Sequence, residues 1–519
     1  MPSSDAIVIG GGPNGLAAAA RLAASGRRVT LCEAGAVAGG GAVTAEFAPG
    51  YRVSGLAHLL GHLDARVIAG MELERHGLAF AATGLATTAV SATGDHLRLE
   101  GAAGARLTGR IAPEDVLAWD RLRSRLMAFA AALAPMRAMA PPRLARGAAN
   151  EMLRLARVGL GLRRLGRDEF REFLRMILIN VADVAEDELS DDRLGGLLAF
   201  DATLGAWLGP RSPNSLILYL DRLAGGMAGQ QAALALPKGG MGTVAAAMAR
   251  GAEAKGVVLR TGARVARILV EDGRALGVAL ADGEEIRADL VVSAIGPKAT
   301  LAGLVGPRHL DTGFLRQTAA IRARGGAAKL HLALTGLPDF RGADPKTRLV
   351  IAPSVNAVEA AFNPVKYGEV PDRPVMEAIL PSAHEDGFAP GGHHVLSAIV
   401  QFAPHAPKDG ADQARALMLE RSLAVLEDHA PGLGALIAHA EMLMPQDIAA
   451  RHGMVGGAWH HADLAVEQML FLRPFAAVAQ YRTPVAGLWL GGAGCHPGGH
   501  VSGAAGWNAA GAILAEGGR

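Results

Sequence analysis

Ala6-Ile7-Val8-Ile9 is an unbroken apolar run of strand length, and it stops at Gly10-Gly11-Gly12-Pro13-Asn14-Gly15. An alanine-rich stretch continues to Gly26, and Val29-Thr30-Leu31 is a second short apolar run ending near Glu33. Short apolar runs bounded by turn residues predict strands buried on both faces, so the opening is strand, glycine turn, helix, strand. A second block begins at Leu236-Pro237-Lys238-Gly239-Gly240 and predicts a helix to Lys255. Strands follow at Val257 to Arg260, Arg264 to Val270, Ala275 to Leu280 and Ala288 to Ala294, with turns at Asp272-Gly273 and Asp282-Gly283. Asp-Gly between apolar runs is a hairpin signal. Near the C-terminus, Leu488-Trp489-Leu490 enters the loop Gly491 to Gly506, and a helix runs on from there.

Between these blocks the pattern changes. From about residue 113 it is helical, and Ser190 to Gln231 alternates apolar runs with Gly and Pro breaks, as a cavity wall would. Ala327 to Leu334 alternates, which as a strand puts Lys329 and His331 on one face and Leu330 and Leu332 on the other. Val375 to Leu380 and Val395 to Phe402 predict further strands of that sheet, and Gly410 to His429 an amphipathic helix.

Gly10, Gly12 and Gly15 fill the spacing G-x-G-x-x-G, and Glu33 follows about twenty residues later. The first glycine permits the tight turn, the second lets backbone approach a pyrophosphate, and the third lets helix and strand pack closely. The helix N-terminus then meets the phosphates, and the acid reaches a ribose hydroxyl. Gly39-Gly40-Gly41, directly after, suggests backbone passing close to the same ligand.

A chain of 519 residues, 50% hydrophobic and 19% charged, has material for a large core and several domain-sized units. The net charge of +2 gives no support for nucleic-acid binding. Cys32 and Cys495 are the only cysteines, too few for a disulfide framework or a Cys-x-x-Cys pair, which fits a reducing cytoplasm and excludes thiol–disulfide chemistry. No signal peptide and no transmembrane run is expected. The segment Arg137 to Arg175, including Arg143, Arg146 and Arg154, is rich in arginine. Arg157, Arg164 and Arg171 recur every seven residues opposite Leu155, Val158, Leu162 and Leu165. Such a face could lie on an anionic membrane; the ordinary alternative is a solvated basic face. Gly166 interrupts it, and Asp168 could cap a fresh helix.

The stretch Gly40 to Tyr51, with Leu59-Leu60 and Leu73-Glu74-Arg75-His76-Gly77-Leu78, resembles the N-terminal signature of phytoene-dehydrogenase-like flavoproteins. That family belongs with amine oxidases and protoporphyrinogen oxidases in one FAD superfamily. The resemblance implies an α/β fold: a discontinuous Rossmann-like FAD-binding domain of the glutathione-reductase type, residues 1–90, 235–305 and 455–519. An α+β substrate domain, residues 91–234 and 306–454, is inserted in it. It implies FAD held by Gly10, Gly12, Pro13, Asn14, Gly15, Glu33, Ala34, Gly40, Gly41, Ala42, Val265, Gly494, Gly499, His500 and Val501. Val265 matches the valine whose backbone meets the adenine. Many relatives have an arginine where this chain has Gly41 or Ala42, so phosphate neutralisation rests on the helix dipole and backbone amides. In related amine oxidases a strand lysine holds a water against flavin N5. Lys329 matches that strand, against a solvent-facing lysine on a half-buried strand.

His461, His496 and His500 match no zinc template, so no metal is expected. His500 is a candidate general base and His461 a structural or cavity histidine. Cys495 reads as a small residue where backbone nears the ring. The expected activity is removal of two hydrogens from an apolar, isoprenoid-like substrate. The alternatives are an amine-oxidase-like flavoprotein and a flavin-binding protein with lapsed activity.

Overall fold

The computed structural model describes residues 4–142 and 149–517. Five parallel strands lie in the order Val258–Arg260, Val29–Cys32, Ala6–Ile9, Leu290–Ser293, Leu488–Leu490. Each comes from one of the three glycine-punctuated blocks. Side chains of Ala6–Ile9 alternate between two cores, as the two-residue period of a strand requires. Ala6 and Val8 join a core with Leu16, Val244 and Ala509, contributed by the helices Pro13–Ala23, Met241–Ala254 and Ala504–Gly517. Ile7 and Ile9 join the opposite core, with Ile268, Val278 and Leu280. Those come from an antiparallel meander, Val265–Glu271, Arg274–Leu280 and Glu285–Arg287. Coverage on both faces is why the central strand is apolar at every position; each such isoleucine contributes about 2 kcal/mol.

The second sheet has eight strands, in the order Ile437–Leu443, Ala327–Leu334, His394–Gln401, Val375–Ile379, Arg348–Ile351, Thr87–Ala89, Leu97–Glu100, Arg106–Gly109. One face of Ala327–Leu334 packs Leu330, Leu332 and Leu334 with Met418 and Leu426 of the helix Ala411–His429. Lys329 and His331 face the other way, towards the loop of Gly55 and His58. The sheet's outer strands and the helices Pro113–Arg137, Asp192–Thr203 and Leu216–Leu223 close a further core. The fold is α/β, as the sequence implies.

The arginine-rich region breaks at Gly166, as the sequence suggests, and differs from expectation in two ways. It contains separate helices, Ala149–Arg163 and Arg167–Met176, and the second is capped by Gly166 at φ +100, with Asp168 inside its first turn. Arg137 is not on a basic surface: it is 6% exposed and pairs with Asp221. Arg143 and Arg146 lie outside the described residues, as does the side chain of Arg154. Among the described residues no helix is long and apolar enough to cross a membrane.

Candidate active site

The turn after the first strand is fixed by a backbone contact that leaves no room for a side chain at Gly15. A Cβ on Gly15 would lie 1.8 Å from the Gly10 carbonyl oxygen, and Gly10 itself has φ +96. Gly11 N–H donates to Glu33 Oε2 at 2.6 Å and Gly35 N–H to Oε1 at 2.7 Å, so Glu33 ties the turn to the end of the second strand. Gly12 caps the helix Pro13–Ala23 without a side-chain hydrogen bond, and no acid sits in the first turn. The positive end of that helix is therefore left for an anion. Gly39 N–H donates to Gly11 O at 2.9 Å, bringing the second glycine cluster over the first. A Cβ on Gly12 would meet nothing nearer than Gly40 Cα at 4.0 Å, so open space lies beside it. Ala34 is exposed, and Ala263 N–H donates to Glu33 O at 2.8 Å, which sets the meander strand of Val265 beside that acid. Asn14 is turned elsewhere: its Oδ1 accepts Gly506 N–H of the C-terminal helix at 3.4 Å.

The loop 491–503 returns to the same place. A Cβ on Gly494 would lie 2.4 Å from Pro297, one on Gly499 would lie 3.0 Å from His460 Nδ1, and His500 has φ +58. Val501 is half-buried, and Ser502 O accepts Asp64 N–H at 3.1 Å. Beneath the loop, Arg473 is fully buried and donates to the carbonyls of His460, Asp463, Gln468 and Ala493. Arg137 pairs with Asp221, whose other oxygen is 3.5 Å from His500 Nε2. Burial alone would raise the Asp221 carboxyl, but Arg137 and His500 hold it below the usual range. Burial pushes His62 down to about 3 and His461 and His496 to about 4, aided by Arg137 or Arg473, so all three are neutral at pH 7. His500 is also lowered by burial, partly opposed by Asp221. His62 Nε2, His461 Nδ1, His496 Nδ1 and Asn508 Oδ1 are buried without a hydrogen-bond partner.

Lys329 is fully buried, which overturns the solvent-facing alternative. Its Nζ donates to His58 Nδ1 at 2.8 Å, and His58 Nε2 donates to Glu377 Oε1 at 2.9 Å. Glu377 Oε2 accepts Arg348 Nε, and Arg348 reaches Asp201 Oδ1 at 2.6 Å. Lys329 and His500 belong to different clusters, and no contact joins them.

The model of the family described as flavin containing amine oxidoreductase matches residues 14–357. The chain belongs to that family. It is an FAD-dependent oxidoreductase. The chain is 30% identical, over 98% of its length and 93% of the relative's, to pyridine nucleotide-disulfide oxidoreductase domain-containing protein 2 of Rattus norvegicus. It is 34% identical to hydroxyneurosporene desaturase of Cereibacter sphaeroides, over 54% of each chain. Cyclohexylamine oxidase from Brevibacterium oxydans shares its fold at a TM-score of 0.60 and 18% identity, over 100% of both chains. Cys32 and Cys495 are both free and buried, and burial pushes their thiols up to about 11 and about 12.

The residues present fit FAD. The open space beside Gly12, the uncapped helix end and the unpartnered polar atoms around the loop 491–503 are complementary to a diphosphate at one end and a polar ring at the other. Bound FAD supplies the hydride acceptor. Gly41 and Ala42 bring no cation there: Ala42 is buried, and Gly41 O accepts Ala57 N–H at 3.2 Å. Sequence reasoning missed His58, Glu377, Arg348, Asp201, Asp221 and Arg473. A signal existed for one of them: Glu377 interrupts an otherwise apolar strand, Val375–Ile379, whereas Arg348 opens its strand directly after Lys346-Thr347. A charge inside such a run marks a buried ion pair.

Proposed function

We propose that this oxidoreductase removes two hydrogens from a neutral, largely apolar substrate of isoprenoid type. Gly10, Gly12, Pro13 and Gly15 would receive the diphosphate, Glu33 and Ala34 the ribose, Val265 the adenine, and Gly40, Gly41 and Ala42 the middle of the cofactor. Gly494, Gly499, His500 and Val501 would face the ring. The observation that carries the substrate class is the charge layout at that loop. His62, His461 and His496 are neutral, Arg137 and Arg473 are buried cations, and the carboxylate there, Asp221, is already taken by Arg137 and His500. An ammonium substrate would find no free counter-charge there, whereas a hydrocarbon needs none. The identity shared with hydroxyneurosporene desaturase supports the same class. The protein's part is to position the substrate carbon and exclude water. Anaerobic titration of the FAD-loaded protein separates the readings: polyenes or cyclic terpenes should bleach the flavin absorbance and primary amines should not. Bleaching by amines with none by the hydrocarbons would refute the proposal.

A further inference from the structure

The chain from Lys329 to Asp201 does not end there. Arg222 Nη1 also reaches Asp201, at 3.1 Å. Two carboxylates, Glu377 and Asp201, thus face two guanidiniums, Arg348 and Arg222, and cancel them. Lys329 is left over, a buried amine whose hydrogen-bond partner is a neutral imidazole. The chain is neutral with the amine deprotonated and carries one uncompensated positive charge with it protonated.

Its two ends are placed differently. His58 follows Ala57, whose N–H is bonded to Gly41 O, and Gly40 sits against Gly12 with a would-be Cβ 3.3 Å from Gly12 Cα. One end therefore stands on the backbone proposed to carry the cofactor. At the other, Asp201, Arg222, Arg348 and Tyr219 line a cavity of about 60 Å³, room for a few waters.

We propose that Lys329 is a redox-linked proton store, neutral while the flavin is oxidised and protonated when negative charge arrives on the reduced flavin, with His58 and Glu377 as the positioning residues that hold it so. The inference rests on the reading of Gly10 to Gly41 as the FAD site. The balance is simple. Two electrons and one proton delivered to the ring raise its negative charge by one; the Nζ lone pair then forms its fourth bond, to a proton given up by water or buffer. No bond to carbon changes, and the proton leaves again on reoxidation. Burial pushes Lys329 from 10.5 down to about 7, against the pull of Glu377. Burial and Lys329 push His58 to about 4, so the stored proton rests on the amine and not on the ring. The groups facing Lys329 are His58, Glu377 and, on its own strand, His331. Its cross-strand partners Ile399 and Leu443 carry no charge, and Glu441, opposite His331, is held by Arg451.

The test needs no substrate. FAD-loaded protein is photoreduced anaerobically in weak buffer, and proton uptake is read with an indicator dye between pH 8 and pH 9, where the resting amine is neutral. Wild type should take up close to one proton more per flavin than Lys329→Met. Lys329→Arg, a fixed cation, should match Lys329→Met and serves if the methionine variant does not fold. In protein with ¹⁵N-labelled lysine, the Lys329 Nζ resonance should move from the amine to the ammonium position on photoreduction. Equal uptake in all three proteins, or an unmoved resonance, overturns the proton store and leaves the FAD site standing. A protein that binds no FAD overturns both.

Discussion

Gly506→Ala tests the packing that brings the C-terminal helix to the cofactor turn. Gly506 lies where the helix Ala504–Gly517 crosses the start of the helix Pro13–Ala23, and a Cβ there would be 1.8 Å from Asn14 O and 2.6 Å from Asn14 C. Both obstacles are backbone, so no rotamer change relieves them, and one helix must retreat by more than an ångström. Overpacking of this kind costs about 1–3 kcal/mol, and the absence of a flexible neighbour argues for the upper end. Part of the displacement falls on the first turn at Asn14 and Gly15, the end proposed to meet the diphosphate. A loss of about 1.4 kcal/mol there is a tenfold weaker affinity. The expected result is a destabilised apo-protein by thermal melting and at least roughly tenfold weaker FAD binding by fluorescence titration. Gly303→Ala is the control, since a Cβ there meets no atom within 4 Å. A Gly506→Ala protein that melts and binds FAD as wild type does would refute the argument.

Arg473→Lys should cost about 3 kcal/mol, read as a lowered denaturation midpoint, because three ammonium hydrogens cannot replace a guanidinium that serves four carbonyls. Lys329 has a folded pKa of about 7 against 10.5, so between those values the unfolded chain binds the extra proton. Its penalty is full below pH 7 and is relieved as pH rises towards 10.5; the unfolding free energy of wild type should therefore climb relative to Lys329→Met across that window, and a flat difference would refute the burial argument. Arg163, Arg164 and Arg171 are exposed, and so are Leu153, Leu160, Leu174 and Leu178. Sedimentation with anionic vesicles, reversed by high salt, is expected if this face meets a membrane; no sedimentation rejects it.

Much of the frame was legible because its signals are local. Gly10 to Glu33, the Asp-Gly turns at 272 and 282 and the alternation in Ala327 to Leu334 each state their geometry within a few residues. Alternation also placed Lys329 and His331 together, but it could not say what they face. The answer comes from residues 58, 377, 348 and 201, which no sequence spacing relates and which only the eight-stranded sheet and its covering helices bring within hydrogen-bond reach. Arg137 misled for a similar reason. Among many arginines it reads as one more surface charge, and its burial depends on Asp221 of the neighbouring helix Leu216–Leu223. The fresh helix begins after Gly166, which has a positive φ and brings no side-chain cap, and Asp168 sits inside the first turn, where it favours the dipole.

The charge layout links the substrate reading to the proton store. Around the loop 491–503, Arg473 and the start of the C-terminal helix present positive potential, Arg137 being matched by Asp221, while His62, His461 and His496 are too depressed to add to it. Lys329, in the separate cluster of His58 and Glu377, would on the proposal above add one more positive charge on the far side of the cofactor site when the flavin is reduced. Such a site is arranged to accept one negative charge, and a substrate arriving as a cation would compete with that arrangement. A neutral hydrocarbon does not. Binding of a non-reducing hydrocarbon analogue should accordingly be unchanged between pH 6 and pH 8, across the range in which Lys329 loses its proton. An alkylammonium analogue should bind more weakly at pH 6, where Lys329 is charged, than at pH 8. If the ammonium bound more tightly than its neutral isostere at both pH values, a free carboxylate would have to face the ring, and the substrate class proposed here would be wrong.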